Sequence, residues 1–385
     1  MTQPPSREAL AAIAGRFRIP GRVVEVEPLG NGNVNATYRV TVAAPTPPES
    51  AAEPAGDASR IRFVLQRING HVFRRPDLVM RNLQALGAHL EQRPERLATG
   101  ADGRRWEVPR LVPVSGSADP WVEQDGACWR LLTHLENAHC RDVIDDPAIA
   151  REVGWGLGRF HHLIHDLPAA RLADTLEGFH ITPGYLRSFH RVKAESSVAT
   201  SPALEEALAF VAEREGICSL LEDARASGRL KERPIHGDPK VNNVMLDAGT
   251  GQAIGMVDLD TVKPGLIQTD IGDCLRSGCN RLGEETTDLE AVHFDTGLCA
   301  ALLEGYMAAA GPMLEPADRE LIADATRLIA FELGLRFLTD HLAGNVYFRA
   351  DDPEHNLRRA LVQFRLTRSI EEQEATIRSI VEGLG

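Results

Sequence analysis

Between Pro234 and Asp260 the chain reads P-I-H-G-D-P-K-V-N-N-V-M-L-D, a short turn, then I-G-M-V-D-L-D. The first half carries His236, Asp238, Lys240 and Asn243 in the pattern H-x-D-x-K-x-x-N, and the second closes an apolar run on Asp258. Phosphoryl transfer from ATP needs such groups together: a carboxylate to orient an attacking hydroxyl and accept its proton, oxygen ligands for Mg²⁺, and a cation near the transferring phosphate. On that scheme Asp238 is the base and Lys240 the cation. Asn243 and Asp258 hold the metal, since Mg²⁺ keeps several waters and relies on few protein oxygens. His236 is read as structural support. A lone D-x-x-x-x-N usually marks a turn and an Asp after an apolar run is often a cap; the joint pattern is what singles out this stretch.

These groups need elements to converge them. Val244 to Leu246 reads as a strand, Asp247 with Gly249 and Gly251 as a turn, and Ile254 to Val257 as a returning strand that delivers Asp258 beside Asn243. Asp260 is expected to support Asp258 or the metal. Asp270 and Asp273 open a predicted helix, so capping is their leading reading, with Asp270 as structural support and Arg276 as a salt-bridge partner for this acidic stretch.

The chain has 385 residues, 25% charged and 43% apolar, in the range of ordinary globular proteins and long enough for two lobes. A net charge of -13 argues against a nucleic-acid partner, which normally needs a basic face. The six cysteines show neither a zinc spacing nor a disulfide framework. No signal-peptide core opens the sequence and no apolar run is long enough to span a bilayer, so a cytoplasmic protein without a membrane partner is expected.

The predicted elements are a helix over 5–18, strands from Val23 to Val26, Ala36 to Val42 and Ile61 to Gln66, a helix over 76–95, and strands over 110–114 and 129–132. Residues 43–59, rich in Pro, Ala and small polar residues, read as a flexible hairpin tip. Helices follow over 147–165 and near 184–197, 203–224, 284–310, 317–342 and 367–383. This is an α+β order: a strand-rich nucleotide-binding lobe over 1–133 and a mostly helical catalytic and acceptor-binding lobe over 134–385, joined near 133–140.

In the first lobe, Gly30 and Gly32 permit positive φ and close approach of amides to phosphate. Asn31, Asn33 and Asn35 add donors, or are simply turn formers. Kinases usually take a lysine from the third strand, but here Gln66 holds the inward position, on the face of Val64, with Arg67 opposite. The cation would come from Arg67 through a bulge, or be replaced by Lys240 and Mg²⁺. The joining segment 129–136, with Leu132 and His134, is expected to meet the adenine. Near the C-terminus, Arg336 and Asp340 stand at the i, i+4 spacing of a plain surface pair, and Tyr347 follows a Gly-Asn turn. On their own these residues read as a helix and its exit, packing rather than binding.

H-G-D-x-x-x-N-N followed by V-D-L-D resembles the aminoglycoside phosphotransferase and choline kinase superfamily, whose fold is the bilobal protein-kinase-like one. The similarity is closer still to N-acetylhexosamine 1-kinases, through L-G-N-G-N-V-N-A-T-Y, F-V-L-Q-R-I-N-G-H-V-F, V-D-L-D-T-V-K-P-G-L-I-Q-T-D-I-G-D-C-L-R and R-F-L-T-D-H-L-A-G-N-V-Y-F, between about residues 28 and 349. The resemblance implies ATP and Mg²⁺ as cofactors and transfer to the anomeric hydroxyl of an N-acetylated hexosamine. It implies that Asp238 is the base, that Asn243 and Asp258 hold the metal, and that Asp238, Arg336 and Tyr347 contact the sugar. Gln66 matches that branch. The partner is then a small-molecule sugar, on a monomer or weak oligomer. Rival readings are a kinase of the same fold for an aminoglycoside, choline, homoserine or another sugar, and a non-catalytic nucleotide-binding module.

Overall fold

The computed structural model describes residues 5–30, 34–44, 60–93, 103–117 and 119–384. The chain opens with helix α1 (Arg7–Ala14), capped by the Ser6 hydroxyl, which accepts from Ala9 N. Strands β1 (Arg22–Pro28), β2 (Ala36–Ala43) and β3 (Arg60–Arg67) follow, then helix α2 (Pro76–Glu91) and strands β4 (Trp121–Gln124) and β5 (Ala127–Thr133). Among the described residues these strands form one antiparallel sheet in the order β1-β2-β3-β5-β4. Its inner face packs Val40, Val42, Phe63, Leu65, Trp129 and Leu131 against Leu10, Ile13 and Phe17 of the α1 region. The period-2 alternation of β3 therefore buries Phe63 and Leu65 there and turns Val64 and Gln66 to the other face.

The segment predicted over 110–114 is not a strand of this sheet. It is extended chain bridged to β5 at Leu111–Leu132 and, by Val114, to Phe17 after α1. Besides β3, the strand that pairs β5 is Trp121–Gln124, which the prediction omitted. Ala43 pairs with Arg60, so the Pro- and Ala-rich segment does join two strands of a hairpin; residues 45–59 lie outside the described ones.

The larger lobe contains β6 (Ala138–His139), α3 (Pro147–Ile164), α4 (Thr182–Glu195), α5 (Pro202–Arg214), α6 (Leu220–Ala226), β7 (Arg233–Ile235), β8 (Val244–Asp247), β9 (Ala253–Met256), β10 (Lys263–Gly265), α7 (Ile267–Gly278), α8 (Thr296–Ala310), α9 (Pro316–Glu320), α10 (Ile322–Leu342), α11 (His355–Glu372) and α12 (Glu374–Gly383). The predicted helix over 203–224 is broken by a turn at Glu215–Ile217. The one over 284–310 begins only at Thr296, where the Asp295 side chain accepts from Leu298 N and starts the helix. Residues before Asp295 serve instead as side-chain partners, Glu284 among them, for buried arginines. The helix placed over 367–383 is two: α11 starts at His355, and α12 follows a break at Gln373.

Helices α3 and α8 cross with almost no side chain between them. A Cβ on Gly158 would lie 2.6 Å from the Tyr306 carbonyl oxygen, and added carbons on Gly154 and Gly305 would collide with the backbone of Leu302 and Arg151. This glycine seam sets α3 beside α8 and under the loop 236–243. Helix α2 shares the core of this lobe through Val79, Met80, Leu83 and Leu86. Its Asn82 amide also bridges to the Val262 and Ala173 carbonyls at 2.8 Å each. No helix among the described residues is long and apolar enough to cross a membrane.

Candidate active site

The loop from His236 to Asn243 is bounded by β7 before it and β8 after it. Strands β8 and β9 pair antiparallel, Val244 opposite Met256, and Val257 N donates to the Asn243 carbonyl at 2.9 Å. The predicted hairpin is thus present, and it brings Asp258 next to Asn243. Gly237 sits at φ +86°, and a Cβ there would lie 2.5 Å from the Thr261 carbonyl oxygen, so only glycine lets the loop cross this backbone.

Beneath the loop, Asp270 Oδ2 accepts from His236 N at 2.7 Å and Oδ1 from Gly237 N at 2.9 Å. His161 Nε2 donates to the same Oδ2 at 2.8 Å, and its Nδ1 meets the Tyr306 hydroxyl at 2.9 Å. Burial would raise the Asp270 pKa, but the His161 bond and the loop amides outweigh it and hold the carboxyl low. This corrects the capping expectation. The residue before α7 is Leu266, no side chain caps the helix, and Asp270 lies inside it as the support of the catalytic loop. His236 is fully buried. Its Nε2 donates to the Val257 carbonyl at 3.0 Å and its Nδ1 accepts from Asp238 N at 3.3 Å, the pattern of a neutral ring. Burial lowers its pKa accordingly.

The loop's other side faces the cleft. Lys240 Nζ donates to Asp238 Oδ2 at 2.9 Å. Burial would raise the Asp238 pKa, but Lys240 outweighs it and holds the carboxyl below the usual range; Asp238 in turn raises Lys240. Lys240 therefore stands as the ion-pair partner of Asp238. Asn243 Nδ2 donates to the Asp238 carbonyl at 2.6 Å, which leaves its Oδ1 with no donor among the described residues. Asp258 has a left-handed backbone, φ 61°, and its carboxylate accepts no hydrogen bond from a described residue. It opens on the cleft, yet the surrounding walls strip part of its hydration; this, then Asp260 and Asp238, push its pKa up to about 6. The Asn243 amide oxygen and the Asp258 carboxylate, both without a donor among the described residues and set side by side by the β8–β9 hairpin, fit a hard divalent cation. No trio of His, Cys, Asp or Glu clusters as a metal cage among the described residues.

Asp260 is not free to serve a metal. Arg130 Nη2 lies 2.5 Å from its Oδ1, and Asn35 Nδ2 donates to its Oδ2 at 2.7 Å. Asn35 Oδ1 accepts from Asn69 N at 2.9 Å, so Asn35 clamps the lobes and is committed neither to phosphate nor to a turn. Gln66 faces the cleft as the alternation predicts, opposite Arg130. Its Oε1 accepts from Arg130 Nε at 3.0 Å and Nη2 at 2.6 Å, while its Nε2 donates to Thr37 at 3.1 Å. The pairing of β3 with β2 and β5 runs through Arg67 without a bulge, which rules out the Arg67 route for the cation. Gly30 has φ +68°, the left-handed backbone expected; Gly32 and Asn33, with Asn31, lie outside the described residues. Leu132 pairs with Val64 on the cleft face, and His134 follows β5 beside Glu136.

On the far side of Asp238 stands Arg336 of α10. Its guanidinium carbon lies 5.0 Å from the Phe179 ring, 5.1 Å from Tyr185 and 5.4 Å from Phe348. Burial would lower its pKa, but Tyr185, Glu332, Tyr347 and Asp238 around it outweigh that and raise it. It forms no ion pair with Asp340, against the surface-pair expectation. Asp340 is buried and accepts from the backbone N–H groups of Val346, Tyr347 and Phe348 at 2.8–2.9 Å. It thereby shapes the loop that carries Tyr347, which is 52% exposed. Tyr347 and Asp238 both lie near enough to act on the Arg336 charge.

Several residues of this site escaped the sequence reading. His180 donates from Nδ1 to Glu332 at 2.9 Å and from Nε2 to the Gly237 carbonyl at 2.9 Å. Both partners can only accept, so the ring is cationic. Burial would lower its pKa, but Glu332 raises it. Nothing in G-F-H-I-T announces this role. Asp273 was taken for a cap; it receives Arg276 Nε at 2.8 Å, as expected for Arg276, and its Oδ2 is buried without a partner. Arg130 did leave a trace: a charged residue on the Gln66 face of a strand otherwise apolar, W-R-L-L, calls for a buried partner.

Residues 25–321 match the phosphotransferase enzyme family. Among solved structures, the chain is similar to a microcompartment-associated aminopropanol kinase at 15% identity and TM-score 0.60, covering 95% of this chain and 97% of that one. It is similar to an aminoglycoside phosphotransferase from Alicyclobacillus acidocaldarius at 14% identity and TM-score 0.59, covering 100% and 98%. A spectinomycin phosphotransferase solved with ADP and spectinomycin matches at 10% identity and TM-score 0.52, covering 99% of each. These likenesses establish the fold, bilobal with an antiparallel-sheet N-lobe and a helical C-lobe. With residues 236–258 inside the matched range, this chain belongs to the phosphotransferase enzyme family.

Proposed function

We propose that the chain is an ATP- and Mg²⁺-dependent kinase acting on the anomeric C1 hydroxyl of an N-acetylhexosamine. The observation that carries this reading is Arg336. Its guanidinium has aromatic rings around it and no hydrogen-bond or ion-pair partner among the described residues, and it faces the side of the cleft that holds Asp238. An aminoglycoside brings several positive charges and choline brings one; both would meet a resident cation already occupying the aromatic surround. A neutral sugar with hydroxyl and acetamido oxygens supplies what a free guanidinium needs.

In this reading Asp238, kept ionised by Lys240, accepts a hydrogen bond from O1–H, orients the oxygen for in-line attack and takes its proton. His180, Asp270 and His236 hold the loop so that the carboxylate needs no reorganisation. Asn243 and Asp258 would hold Mg²⁺, which when bound supplies charge stabilisation to the transferring phosphoryl group. Val64 and Leu132 offer an apolar ceiling to the adenine.

The test is turnover of N-acetylglucosamine and N-acetylgalactosamine with ATP, followed by NMR of the product. Phosphate at C1 is expected. Phosphate at C6, or turnover confined to amino alcohols or to carboxylate-bearing acceptors such as homoserine, would overturn the acceptor assignment.

A further inference from the structure

The face of the sheet that looks into the cleft lacks the lysine expected on β3 but holds a cation one strand over. Arg130 is 1% exposed, in a place where an unpaired charge would be prohibitively costly. Its Nε and Nη2 are partnered, while Nη1 is buried with no hydrogen-bond partner among the described residues. Two of its donors converge on the single Oε1 of Gln66, and Nη2 also faces Asp260. Asp260 then reaches Asn35, at the start of β2, and Asn35 reaches Asn69, just after β3. Asp260 lies in the one-turn helix Leu259–Thr261 that begins at Asp258. A continuous polar chain thus runs from three strands of the N-lobe to the turn that presents Asp258. The Gln66 amide is fixed in orientation, since its Nε2 donates to Thr37.

We infer that Arg130 is the positioning residue that replaces the missing β3 lysine. Through Asp260 and Asn35 it sets the start of β2 at the right distance from Asp258. The inference also accounts for Gln66 itself: a lysine there would place a second cation against the Arg130 guanidinium, whereas an amide oxygen accepts both of its donors. Arg130 need not touch the nucleotide. It acts by holding Asp258 and the phosphate-facing end of β2 in register. The inference rests on reading the cleft as the Mg-ATP site.

The experiment is calorimetric titration of Mg-ATP into the full chain and its variants, with steady-state kinetics for both substrates. R130M is expected to bind Mg-ATP at least about tenfold more weakly, and Q66K likewise, because each leaves a buried charge unbalanced. The double variant R130M/Q66K, which moves the cation back to β3, is expected to bind within about threefold of the parent chain. The acceptor KM should not move. A merely structural role would lower the active fraction and leave the Mg-ATP affinity of the folded molecules unchanged, and that result overturns the inference. If R130M does not fold, N35A decides: it leaves the charges paired but cuts the tie to β2, so unchanged Mg-ATP affinity would sink the idea. Absence of Mg-ATP binding by the parent chain would instead overturn the nucleotide reading of the cleft.

Discussion

The two sides of the catalytic loop differ in how their polar groups are used. Below it, Asp270 spends both oxygens on His161 and two loop amides, and His161 in turn meets Tyr306. Above it, Asp258 accepts nothing from the described residues, Arg336 has rings but no acceptor, and Asn243 keeps one oxygen free. Buried polar groups cost free energy unless they are paired, so a folded chain pairs those that serve only its own shape. Groups left unpaired along one wall of a cleft are the ones awaiting something from outside. Buried atoms without a partner also occur elsewhere, at Gln363 and Gln268, so it is their gathering on one wall beside Asp238 that marks the site.

The sharpest way to break this contrast is to remove one acid from each side. Asp238→Asn should lower kcat by about 10²–10⁴-fold, the value of a positioned base. Asp258→Asn should also abolish most turnover, yet leave the melting temperature unchanged or higher, because it relieves repulsion with Asp260 and Asp238. Asp270→Asn should do the opposite first. An amide NH₂ would face donors on that side, costing about 3 kcal/mol of stability, visible as a lower denaturation midpoint. Equal stability losses for Asp258→Asn and Asp270→Asn would erase the distinction.

A smaller effect is expected at Arg336. R336M should raise the acceptor KM by about 10- to 100-fold, the worth of a charged hydrogen bond, with the ATP KM steady. A parallel rise in both constants would mean that Arg336 shapes the lobe and does not meet the acceptor.

The smallest effect concerns pH. The raised His180 pKa means its contribution is complete below the ordinary histidine value of 6.5 and fades as the pH rises through the folded value. Burial would raise the Glu332 pKa, but His180 lowers it, so its share is present above 4.5 and fades as the pH falls through its folded value. The melting temperature gap between the parent chain and H180Q should therefore be widest between these values and narrow above pH 6.5. A gap constant up to pH 9 would show that the ring is not the cation its two acceptors require.

How far the site was legible in the sequence follows from distance along the chain. His236 to Asp258 could be assembled from local spacing, because one hairpin carries them all and Val244 pairs with Met256. Strand alternation also placed Gln66 on the cleft face. What could not be read were partnerships formed across the fold. Asp270 looks like a cap until α3 brings His161 to it, and Asp340 looks like a surface acid until the loop after α10 folds back on it. Arg336 and Tyr347 acquired meaning only through the resemblance, because nothing in their own helix says what they face. The helix start at Thr296 was misplaced for a related reason: Glu284 and Glu285 before it, predicted on a helix, are spent on Arg276 and Arg359 across the fold.

The glycine seam between α3 and α8 has a consequence for how this chain can change its length. With backbone against backbone, α3 cannot slide or turn, and His161 lies three positions beyond Gly158. Inserting or deleting one residue between them would swing His161 by about 100° around the helix, away from Asp270 and Tyr306. A one-residue change in length there would dismantle the support of the loop, whereas the β2–β3 connection, whose ends are held together by the Ala43–Arg60 pair, can take one without moving the site.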